Sequence, residues 1–237
     1  GTGVLTLGDS DTGLTVAGDL LVGGTSTGAI SLGDATLADG VTLTAGTGAA
    51  NQIDLDAVAG TASGAVSNLT INTTGVATVA EAVGTDFGTV TITQSGGTTF
   101  SSTLAAATLA ITDTADSQAV SLTGNVTLTT GLTTANGGSD NYNVSLTGGT
   151  NSIAGATTFN QGGTLTLGDG ADATDFVGGL VATAPSSISA QGTVKADTGT
   201  GVLTLGDSDT GLTVAGDLLV GGTSTGAISL GDATLAD

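Results

Sequence analysis

The chain has 237 residues, with one lysine, no arginine or histidine and 21 acidic residues, for a net charge of −20 at pH 7. That balance makes nucleic acid a poor partner, because the phosphate backbone needs a Lys/Arg footprint, and it disfavours anionic membrane surfaces. Without Cys there is no disulfide framework, without His or Cys the usual general base and thiol nucleophile are missing, and no apolar run is long enough to cross a membrane.

Residues 1–39, GTGVLTLGDSDTGLTVAGDLLVGGTSTGAISLGDATLAD, recur letter for letter as residues 199–237. Folding does not demand identity at every solvated Thr, Ser and Asp, since surface positions tolerate substitution at little cost. The identity therefore points to a recent or recombinationally maintained duplication. Residues 1–198 are read as one complete repeat unit and residues 199–237 as the start of the next, a window on the interior of a longer tandem array.

Along the chain the dominant signal is alternation. Apolar-hydroxyl-apolar triplets recur at Leu5-Thr6-Leu7, Leu14-Thr15-Val16, Ile30-Ser31-Leu32, Leu69-Thr70-Ile71, Val90-Thr91-Ile92, Val120-Ser121-Leu122, Val144-Ser145-Leu146 and Leu165-Thr166-Leu167. In a strand this spacing puts aliphatics on one side and hydroxyls on the other. Gly-Asp, Gly-Asn and Gly-Gly steps separate the triplets, as turns require. The best helical candidates, around Val76 to Val83 and Thr103 to Ala110, are short and rich in Thr or β-branched residues. LTVAGDLLV (14–22) and VSLTGNVTL (120–128) both read as strand, corner, strand, and Gly97-Thr-Thr-Phe100 is echoed by Gly155-Ala-Thr-Thr-Phe159.

Triplet spacings near 20 residues, or twice that, suit the coils of a parallel β-solenoid, each with two or three short strands. An all-β parallel β-helix with coils of about 20 residues is the expected fold. Tandem Ig-like β-sandwiches are the alternative, disfavoured because such domains bury large residues, often a Trp, and use Pro-bearing loops, whereas Trp is absent here and Pro185 is the only proline. At ~4.8 Å per coil, such a unit would hold about ten coils in ~48 Å.

Catalysis is not expected. Carboxylate pairs hydrolyse glycosides in some β-helices, but those sites also use basic and aromatic residues, and this chain offers only Lys195 and Tyr142. Most Asp residues read as turn formers. Three clusters nevertheless present the oxygen ligands that Ca²⁺ prefers: Asp9 and Asp11 in D-S-D-T-G, Asp54 with Asp56, and Asp169, Asp172 and Asp175 in LGDGADATDF. None completes an EF-hand or nonapeptide calcium motif, so diffuse divalent binding to the acidic surface is the expected form, and no cofactor is required. Lys195 beside Asp197 reads as an ordinary exposed pair, with an intramolecular isopeptide bond as the sharper alternative. Asn68, Asn72, Asn125 and Asn143 open N-x-S/T sequons, and the T-x-T steps at Thr42 and Thr127 lack the fixed interval of an ice-binding array.

The L-T-L-G-D, L-T-V-A-G-D-L and G-x-T-T-F segments make the chain similar to the stalks of very large bacterial surface proteins, the filamentous-haemagglutinin-like and autotransporter passengers and giant "β-strand repeat" proteins. The resemblance is compositional and diffuse, and it carries over no functional residue. It implies an exported, right-handed parallel β-helix at the cell surface, used as an adhesive or structural fibre; the alternative is a binding rod that displays a ligand-binding tip or contacts Ca²⁺ or glycans along its acidic surface. Its partners would be further copies of the repeat, end to end, with lateral association into a fibre; neither nucleic acid nor membrane insertion is expected.

Overall fold

A computed structural model describes residues 1–9, 11–136 and 141–236. Ser10 of the first acid turn and Asp237 at the end of the second copy lie outside the described residues. The described chain is all-β, with 27 strands and no helix. Every strand pairing is parallel, which rules out antiparallel sandwiches. All eight triplets are strand; of the two helix-like stretches, the second falls in the strand Leu104–Ile111 and the first holds the strand Ala77–Val79, a corner and the start of Val83–Gly84.

The strands stack into a solenoid of about ten turns with three ladders, giving each coil three faces. The first face begins at Leu5–Leu7, the second at Leu14–Val16 and the third at Leu20–Val22. Along the first face, Leu5 is followed by Ile30, Ile53, Ala77, Thr98 and Val120. Val144, Leu165, Ile188, Leu212 and Ala233 continue it. Leu5 to Ala233 is thus 228 residues in ten steps, so a coil averages about 23 residues, three more than expected. Triplet spacings are irregular because corners differ in length, while the central pairs of each ladder stay aligned.

Burial follows the strand period of two. In Ile30–Leu32 the outer two residues are 2% exposed and Ser31 faces out. The interior is a stack of Leu, Ile, Val and Ala, each large aliphatic stabilising the fold by roughly 1.5–3 kcal/mol. The interior also takes aromatics: Phe100, Phe159 and Phe176 are buried, and the rings of Phe159 and Phe176 meet edge to face with centroids 6.2 Å apart. Both Phe residues of the G-x-T-T-F echo point inward, Phe100 on the first face and Phe159 at the end of the third.

The corners are sealed by two devices with partners about one coil away. In the first, a Ser, Thr or Asn turns inward and donates to two carbonyls of the coil below. Ser26 Oγ reaches Gly1 O (3.0 Å) and Gly3 O (3.1 Å), Asn51 Nδ2 reaches Ser26 O (2.8 Å) and Gly28 O (2.6 Å), and Thr73 Oγ1 reaches Ala49 O (2.9 Å) and Asn51 O (2.6 Å). The Ser26 and Thr73 hydroxyls also accept the N–H two residues on, from Gly28 and Gly75. In the second device, an Asp or Asn Oδ1 accepts a backbone N–H from the coil above: Asp19 from Thr42 (2.8 Å), Asn68 from Thr89 (2.8 Å), Asn125 from Thr150 (3.0 Å) and Asn143 from Thr164 (2.8 Å). Since only the acceptor oxygen matters, carboxylate and amide interchange.

Candidate functional site

Several of the predicted acids make local hydrogen bonds: Asp9 and Asp172 accept backbone N–H groups and Asp54 a side-chain amide. Asp9 Oδ1 accepts the N–H groups of Asp11 (3.0 Å) and Thr12 (2.6 Å), closing a turn. Asp207 does the same with Asp209 and Thr210 in the second copy, at 2.9 Å each. Asp54 lies outward on the first face and accepts from Gln52 Nε2 at 2.9 Å, while Asp56 sits beyond that strand, its N–H bonded to Leu32 O. The third cluster divides. Asp172 Oδ2 accepts the Asp169 N–H at 2.8 Å, and a hydrogen bond between the two carboxyls, followed by local burial, raises Asp169 above the usual carboxylate range. Asp175 instead joins Lys195 and Asp197. Among the described residues no group of three or more acidic side chains is arranged to hold a metal ion.

Lys195 stands directly above Asp175 in the second-face ladder. Its Nζ lies 3.8 Å from Asp175 Oδ2 and hydrogen-bonds Asp197 Oδ2. The bond to Asp197 raises the lysine and lowers Asp197. Asp175 is raised even though it faces a cation, because burial and the Asp197 charge outweigh Lys195. A lysine held protonated is a poor nucleophile, and the geometry is that of an ion triad.

Tyr142 is buried, its hydroxyl donates to Ala135 O at 2.6 Å, and burial, then the Asp113 charge, push its ionisation above the ordinary range. A cleft of about 520 Å³ opens where Gly170, Ala171 and Gln191–Thr193 meet Asp217–Leu219. Asp217 is the one ionisable group in its lining, so it offers no acid–base pair. Asn143 of the sequons donates to Ser117 O as well as accepting from Thr164, so its amide is occupied within the fold.

Sequence reasoning missed the regularity of the first face. Ten of its eleven outward central residues carry hydroxyls, one per coil from Thr6 and Ser31 to Thr213 and Thr234, with Asp54 the exception. Ladder register, invisible in linear spacing, brings them into line. The second and third faces interrupt any such column with Ala59, Gly84 and Ala105, or with Leu21, Ala110 and Val181. Comparison with known proteins finds no matching family model, curated protein or solved structure.

Proposed function

We propose that the chain is a non-catalytic structural section of a long extracellular fibre or surface stalk, built by stacking identical units on one axis. What supports this reading is the second copy, which continues all three ladders of the unit beneath it without a break: Leu203 pairs with Leu180, Leu212 with Ile188 and Leu219 with Thr193. Repeats in such a stack touch only their neighbours, so length is set by copy number. The unit's fifteen Asp, one Glu and one Lys give it a net charge of −15, which keeps neighbouring rods apart until counterions screen them. A bacterial cell-surface location is proposed on the compositional resemblance alone.

Electron microscopy of tandem arrays with increasing unit number tests the reading. Straight rods of constant width that lengthen by ~42 Å per unit are expected, from eight and two-thirds coils at ~4.8 Å each. Compact particles, or flexibly linked beads, would sink it.

A further inference from the structure

The two copies do not occupy equivalent faces. Leu5–Leu7 starts the first face, yet Leu203–Leu205, the same residues 198 positions later, lies on the third face above Leu180–Ala182. Likewise Leu14 of the second face corresponds to Leu212 of the first, and Leu20 of the third to Leu218 of the second. Every strand of the motif has stepped back one face. Counting along the first face, eight coils carry Leu5 to Ile188, and two further faces carry it to Leu203.

The internal contacts of the motif survive this step. Leu5 pairs with Ile30 as Leu203 pairs with Ile228, and Leu14 with Ala35 as Leu212 with Ala233. Ser26 caps Gly1 and Gly3 at the corner from third to first face. Ser224 caps Gly199 (3.3 Å) and Gly201 (2.7 Å) at the corner from second to third.

The chain also contains the join between the unit and its second copy. Beneath the second copy lie Leu180–Ala182 and Ser187–Lys195; above the first lie Thr42–Ala45, Ile53–Leu55 and Val58–Gly60. Accordingly Leu203 is 2% exposed where Leu5 is 38%, and Ile30 is 2% exposed where Ile228 is 52%. Asp34 Oδ1 accepts the Ala57 N–H from the coil above, whereas its counterpart Asp232 is exposed.

We propose that the end face formed by residues 1–22 is the seat for the Leu180–Lys195 coil of a preceding unit, and that successive units advance by eight and two-thirds coils. This rests on the tandem-array reading above. Three units then make 26 coils, the motif visits all three faces in turn, and the true axial period is three units, ~125 Å at ~4.8 Å per coil. No single face of the rod carries a given motif in every unit, so a lateral partner, including a second rod, meets the same motif from each of three directions.

Helical reconstruction by electron cryomicroscopy of an array of several 198-residue units, gold-labelled through D11C in every unit, decides the point. The expected result is a rotation of about 240° per unit along the coil direction with a rise of ~42 Å, labels lying on three faces in rotation. A rod whose labels line one face, with rotation near zero, overturns this inference while leaving the fibre reading intact. Failure to form a rod removes both.

Discussion

Residues 1–39 and 199–236 are one sequence in two situations. The first copy is exposed beneath and covered above; the second is covered beneath and exposed above. Side-chain burial reverses accordingly, with Leu37 fully buried and its counterpart Leu235 76% exposed, while strand pairing within the motif is unchanged. Backbone path is therefore set locally, by the S-x-G corner and the triplets, and burial is supplied by whichever coil arrives next. Each strand of the motif keeps its partner on both of the faces where it is found, although the separate strands Leu14–Val16 and Leu20–Val22 run together as Gly211–Gly221 in the second copy.

Breaking this comparison most forcefully means truncating equivalent core residues. Leu203→Ala should cost ~2–5 kcal/mol and Leu5→Ala under about 1, with the order reversed for Ile30→Ala against Ile228→Ala. Chemical denaturation of the four variants, with hydrogen exchange to locate the loss, checks it. Equal costs within either pair would mean that coil contacts do not control stability. Gly28→Ala and Gly226→Ala should instead behave alike, each losing about 1–3 kcal/mol or failing to fold. A Cβ would stand 2.0 Å from Gly3 O in one and 2.2 Å from Gly201 O in the other. If one tolerates alanine, the corner is not locally determined.

Next come the hydrogen bonds. Ser26→Ala and Ser224→Ala should each cost about 1–2 kcal/mol. Asp34→Ala should lose ~1 kcal/mol by orphaning the Ala57 N–H, Asp34→Asn should lose almost nothing, and Asp232→Ala should be neutral. Thermal melts of the five proteins rank them, and an Asp34→Asn variant as unstable as Asp34→Ala would show that charge, not the acceptor oxygen, is what the coil above needs.

Smaller effects lie in parts of the unit outside the repeated segment. Asp169 and Asp175 are raised in the folded chain, so protonating them favours the native state, and stability should rise as pH falls from 7 into the upper carboxylate range. Asp197 is lowered, so its contribution is present above the unfolded value and is lost at more acid pH, reversing the trend. A melting temperature that falls from the outset as pH is lowered from 7 contradicts this assignment. The smallest response is to calcium: Ca²⁺ and Mg²⁺ should raise the melting temperature alike by screening, and chelation should return it to the salt-only value. A rise peculiar to Ca²⁺ would reveal an ordered site.

Much of the strand content was legible because apolar-Thr-apolar triplets admit one face inward, and every one of them is a strand. The number of faces was not, since all three use the same code and corner lengths vary. Roles of the acids were mixed. Asp9 announces its turn within three residues, whereas Asp19 and Asn125 act on N–H groups 23 and 25 positions away, a pairing that exists only once the coil has closed. The split of Asp175 from Asp169 and Asp172 has the same origin, because its partner Lys195 is one coil distant.

The two-thirds remainder in the unit length bears on how such a gene can change. A triangular coil offers three joining frames instead of one, so a duplication need only span a whole number of faces, roughly eight residues each, to leave every ladder in register. Unequal crossing-over between identical copies meets that condition automatically. In the array proposed above, copy number could then change by recombination without altering the fold at any new joint.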